Sequence, residues 1–179
     1  MQPQKMHEIL KPLKWLIGTW RPIMARVVYP TMKCPVDFDE KLCFLSAGQP
    51  VLNYTSTCWH PKVKYPMHLE GGYVRIDEHG CLVTFLTAQN LGISTVEQGV
   101  LKDKSLETVN KTISTTTLSN MQILAIERVY ILNDKGQLSY TLRIQTAHTP
   151  LATHVDCLYE KEKEENEKKE KVEDEGQNS

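Results

Sequence analysis

The chain is expected to be all-β: a ten-stranded antiparallel up-and-down barrel preceded by a short N-terminal helix. Three observations predict this. Short segments rich in β-branched and aromatic residues recur along the chain, with turn residues between them. Only one short stretch, residues 11–20, carries a helical apolar spacing. Ten strands with so little helix to cover them would leave open edges, and closing the sheet on itself removes those edges.

The elements follow in order. Residues 1–10 read as a loose lead-in with an exposed His7. In K-P-L-K-W-L-I-G-T-W (11–20), Pro12 suits a first helical turn and Gly18 can end the helix. Leu13, Leu16 and Ile17 then share one face, so the helix can plug one end of a barrel. Strands are placed at 22–29, 36–46, 50–58, 66–76, 81–88, 92–101, 105–113, 122–132, 137–147 and 153–160. Turn residues separate them at 48–50, 60–61, 77–80 and 133–136, with a weaker turn at 101–104. The clearest hairpin is I-L-N-D-K-G-Q-L (131–138). A lipocalin-like barrel of this size encloses a cavity large enough for a ligand.

At 179 residues the chain can build one domain with a real core. Charge is uneven. Residues 160–175 hold 9 acidic residues and 5 lysines, a net of −4, and the rest of the chain is at +3. Neither value calls for nucleic acid or a membrane surface. The division is a lead-in (1–8), a barrel (9–160) and a solvated, disordered charged tail (161–179). Cys34, Cys43, Cys58, Cys81 and Cys157 form no C-x-x-C pair and show no zinc spacing. Such scattered thiols among apolar residues point to reduced, buried cysteines in a cytoplasmic or nuclear compartment. The start, M-Q-P-Q-K, has no apolar leader, and no stretch is long enough to cross a bilayer.

The candidate chemistry lies in the last strand. A neutral imidazole at His154, held on a rigid strand, can bind a metal or a haem iron. Strict alternation puts Val155, Cys157 and Tyr159 on one face and His154, Asp156 and Leu158 on the other, which aims His154 outward if the apolar face is the core. His148 is the rival ligand. His68 reads as structural, hydrogen-bonded within the sheet, and His60 and His79 as exposed turn residues. Tyr54, Tyr65, Tyr73, Tyr130 and Tyr140 read first as packing. Asp37, Asp39 and Glu40 are expected to face solvent. No polar group on the far side of a bound ligand can be assigned.

Six strings stand in order: P-L-K-W-L-I-G-T-W (12–20), Y-P-T (29–31), G-Q-P-V-L-N-Y (48–54), H-P-K-V-K-Y-P-M-H-L-E-G-G-Y-V-R (60–75), A-Q-N-L-G with V-E-Q-G (88–99), and T-P-L-A-T-H-V-D-C-L-Y (149–159). Together, over residues 9–160, they resemble the nitrobindin family, above all the C-terminal nitrobindin domain of animal THAP proteins. The resemblance implies a barrel that binds haem b, with His154 as the axial iron ligand and Thr31 in the haem pocket. It also implies nitric oxide binding and a haem-dependent peroxynitrite isomerase that yields nitrate at ferric iron. The chain departs from the G-x-W-x-G-x-G pattern of many members, reading Gly18-Thr19-Trp20-Arg21-Pro22-Ile23-Met24. It shows no zinc-coordinating THAP module, so nucleic-acid binding is not expected. The competing reading is a carrier of a small apolar ligand without haem. The oligomeric state stays open, a homodimer included.

Overall fold

The structure is a computed structural model describing residues 5–117, 119 and 122–163. Its strands are β1 (Gly18–Val27), β2 (Val36–Asp37), β3 (Asp39–Ser46), β4 (Leu52–Trp59), β5 (Pro66–Ile76), β6 (Leu82–Gln89), β7 (Ile93–Lys102), β8 (Ser105–Thr115), β9 (Ile123–Leu132), β10 (Leu138–Thr146) and β11 (Ala152–Lys161). Each long strand pairs antiparallel with the next, from β1 and β3 round to β11, and β11 pairs back onto β1. The ten long strands therefore close a barrel. The two-residue β2 hangs on β1. The single strand expected over 36–46 is interrupted at Phe38, which buries its ring and donates its N–H to Ala25 O at 3.1 Å.

The plug begins earlier than the sequence suggested. A 3-10 helix runs from Glu8 to Leu13, and the His7 Nδ1 accepts the Ile9 N–H at 3.3 Å as its cap. A turn carries it on: Leu16 N donates to Leu13 O and Ile17 N to Lys14 O. Leu10, Leu13 and Leu16 are fully buried. Each contributes about 1.5–3 kcal/mol by leaving water, which orders a segment that looked loose. Trp20 ties plug to barrel by donating from Nε1 to Leu16 O at 2.8 Å.

Above the plug lies an aromatic layer in which Phe44, Phe85, Tyr130 and Tyr140 stack or meet edge to face. Next comes an ionic belt. Arg128 donates from Nε and Nη2 to Glu97 at 2.9 and 3.0 Å and from Nη1 to Tyr54 OH at 3.0 Å, and its Nη1 also lies 2.9 Å from Glu70 Oε1. Thr95 and Thr108 complete Glu97 at 2.9 and 3.1 Å. One guanidinium thus serves two buried carboxylates, and the hydrogen bonds on Glu97 help to offset the cost of burying its charge. Beside the belt, β5 runs so close to β6 that a Cβ on Gly72 would sit 1.9 Å from Leu86 O, so glycine is required there.

Several surface expectations are corrected. Cys34 and Cys81 are exposed, and only Cys43, Cys58 and Cys157 are buried. Tyr65 and Tyr73 stand out in solvent, whereas Tyr54, Tyr130 and Tyr140 pack inside. No helix among the described residues is long and apolar enough to cross a membrane. The charged run from residue 164 onward lies outside the described residues.

Candidate functional site

At the end of the barrel away from the plug, the strands enclose a cavity of about 280 Å³. One wall is apolar, formed by Ile93, Ile123, Ile126, Leu142, Ile144 and Val155 from β7, β9, β10 and β11. The other wall, on β3 to β6, is polar: Glu40, Ser56, His68, Glu70 and Gln89. Tyr29, His154 and Leu91 also line it.

A β-bulge brings His154 to this cavity. Opposite β10, Leu142 pairs with Val155 and the next residue, Arg143, pairs with Thr153, so His154 is the extra residue on β11. Inward Val155, Cys157 and Tyr159 keep their alternation, and the bulge adds His154 to the same face. That is why strict alternation misplaced it. The bulge is held from the other side, where Val28 N donates to His154 O at 2.8 Å. The Tyr29 ring meets the imidazole edge-on, with 4.0 Å between centroids.

Burial in this apolar surround, with a smaller contribution from His68, holds the His154 pKa down at about 4. Its ring is therefore neutral at physiological pH. Its Nδ1 is buried without a hydrogen-bond partner. A neutral imidazole with an unspent buried nitrogen, set beside an apolar wall, is a donor set that fits haem. At about 280 Å³ the cavity lies just below the roughly 300–1,000 Å³ of ordinary ligand pockets.

Thr31 occupies an exposed turn two residues past Tyr29 and does not line the cavity. His148 is exposed in the β10–β11 loop and also stays outside it. His79 is exposed, and His60 accepts the Lys62 N–H in its loop.

One sequence expectation is overturned on the polar wall, and another is extended. Glu40 was expected in solvent but is 3% exposed. It accepts from Ser56 Oγ at 2.6 Å and Tyr159 OH at 2.5 Å, and burial raises its pKa against those two bonds. The signal was there: Phe38, Glu40, Leu42 and Phe44 share one parity. His68, expected to be bonded within the sheet, does stand beside Glu70 of its own strand, with Nε2 3.8 Å from Oε2, and its ring also lines the cavity. His68 and Glu70 share parity with buried Val74 and Ile76, which was the signal for them. Burial pushes the Glu70 carboxyl up, but Arg128 and His68 outweigh it and hold it at about 2.

A family model described as a THAP4-like, heme-binding beta-barrel domain matches residues 9–161. "Peroxynitrite isomerase THAP4" of Homo sapiens is 31% identical over 162 residues, covering 89% of this chain. The match spans only 28% of that relative's length. "Peroxynitrite isomerase Rv2717c" of Arabidopsis thaliana is 30% identical over 158 residues, covering 87% of this chain and 90% of that protein. The solved "Crystal Structure of Rv2717c from M. tuberculosis" superposes with a TM-score of 0.77 at 25% identity, over 89% of this chain and all of that one. With the closed barrel and its imidazole-bearing cavity, this match over nearly all of the described barrel gives one conclusion: the chain belongs to the family of THAP4-like heme-binding β-barrel domains.

Proposed function

We propose that this chain binds haem b in the cavity through His154 and isomerises peroxynitrite to nitrate, with nitric oxide as a second ligand of the same site. The observation that carries this is the neutral, bulge-turned imidazole with an unspent buried nitrogen. The relatives named peroxynitrite isomerase support it. Bound haem would supply an iron able to take up small nitrogen oxides, with His154 as the residue that would hold it. His154 holds the group from β11, and Tyr29 and the Val28 N–H fix the imidazole's position. The apolar wall excludes water from the enclosed face. Thr31, exposed on the turn two residues past the cavity-lining Tyr29, is carried as a further residue toward the group. Peroxynitrite and nitrate hold the same atoms and charge, so the conversion asks the protein for no net proton or electron.

The experiment is a stopped-flow record of peroxynitrite decay with ferric, haem-loaded protein. Decay that accelerates in proportion to protein, with nitrate as product, is the expected result. Decay equal to buffer contradicts the activity.

The limited cavity volume favours one alternative: a carrier of a small apolar ligand. A saturable apolar dye in the apo-protein that hemin fails to displace would support that reading. Free thiols suit a reducing, cytoplasmic setting. Exposed Leu45, Tyr73 and Leu86 on neighbouring outer strands give a homodimer a surface.

A further inference from the structure

The polar wall contains an imidazole that lines the cavity and stands off its nearest carboxylate at 3.8 Å. Glu40 is taken up by Ser56 and Tyr159. Glu70 is held by Arg128 at 2.9 Å and by the Gln89 amide at 2.8 Å. His68 sits beside Glu70 at 3.8 Å, longer than a hydrogen bond, and its side chain is 31% exposed. Round the barrel, β5 lies four strands from β11 in one direction and six in the other. His68 therefore projects from the wall facing the one that carries His154. The buried Arg128 and Glu97 behind Glu70 keep this carboxylate fixed.

We propose that His68 is a second ligand-contacting residue of this site, donating an N–H from β5 to a small acceptor-bearing molecule, a nitrogen oxide or a small anion, held between it and His154. The inference rests on the haem reading above. It answers an electrostatic problem in the cavity: Glu40 and Glu70 present oxygens to any anion entering it, and acceptors facing acceptors repel. Ser56 and Gln89 direct donors at those carboxylates. His68 stands off its carboxylate at 3.8 Å and is partly exposed, so an N–H from it can turn to an acceptor in the cavity and make the wall one that accepts lone pairs.

The test uses the full chain loaded with ferric haem and azide, a small anion with lone pairs at both ends. Wild type, His68→Leu and His68→Gln are titrated, with affinity read from the Soret band and haem content and melting measured alongside. His68→Leu should weaken azide about tenfold or more, the loss expected for one hydrogen bond to a charged partner. His68→Gln keeps an N–H donor and should recover most of it. Equal azide affinity in all three proteins overturns the proposal. So does a six-coordinate low-spin ferric wild type that becomes five-coordinate in His68→Leu, because His68 would then bind iron itself. A wild type with no Soret band overturns the haem reading and this inference together, whereas a normal band with no azide effect overturns this inference alone.

Discussion

Replacing Arg128 with Met should be the most damaging single change in the barrel's middle. The guanidinium is 1% exposed and bridges Glu97 and Glu70, both buried. Arg128→Met keeps the stem but leaves two carboxylates uncompensated. Breaking one side of such a pair costs about 3–5 kcal/mol. The Glu70 carboxyl points the same way: burial pushes it up, and Arg128 together with His68 outweighs that and holds it at about 2. For a chain of this size a loss of about 3–5 kcal/mol is a fall in Tm of about 6–20 °C. Thermal and urea denaturation at pH 7 measure it. The sign with pH is also set. Glu70 has a depressed folded-state pKa, so its contribution is present above about 4.5 and is lost as pH falls toward 2. The gap between wild type and Arg128→Met should therefore narrow over that window. Adding Glu97→Gln should return part of the loss, because one unpaired charge disappears. An Arg128→Met protein within about 1 kcal/mol of wild type at pH 7 would refute the reasoning.

Glu40 runs the other way. Its raised pKa means that its ionised form costs stability as pH rises, so Glu40→Gln should match wild type near pH 4 and equal or exceed it at pH 8 in urea midpoint; a variant weaker at pH 8 than at pH 4 would contradict this. Gly72→Ala should lose about 3 kcal/mol or more by urea denaturation, because a Cβ there meets the Leu86 carbonyl. Gly71→Ala, where the nearest atom is 3.9 Å away, should stay within about 1 kcal/mol; equal losses at both sites would contradict the close approach. Because His154 sheds its proton at about 4 rather than 6.5, hemin affinity should stay level from pH 8 down to about 5. A tenfold loss between pH 7 and 5.5 would show an imidazole with ordinary titration.

The strand pattern carried most of the fold. Turn chemistry at N-D-K-G and D-E-H-G placed two hairpins, and the β-branched runs placed the rest within a few residues. The plug was visible in Leu13 and Leu16, but its start was not: a 3-10 turn capped by a histidine has no strong local signature. The site was legible only in part. His154 was singled out through resemblance, while its own strand's alternation argued against it. A bulge costs one residue and leaves no mark in T-H-V-D. Glu40 was misread because charge was taken as exposure, Glu70 was passed over, and His68 was read as structural without its place in the cavity, although their parity with Phe44, Val74 and Ile76 put all three on the inner face. Arg128 could be expected inside only once Glu97 and Glu70 were known to face it.

The most direct measurement is a hemin titration of purified protein followed at the Soret band, with wild type, His154→Ala and His148→Ala side by side. The account predicts saturation at one haem per chain in wild type and His148→Ala, and a weakened, shifted band in His154→Ala. Identical spectra in all three proteins would contradict it, because the imidazole that the bulge turns into the cavity would then not be the one that holds the iron.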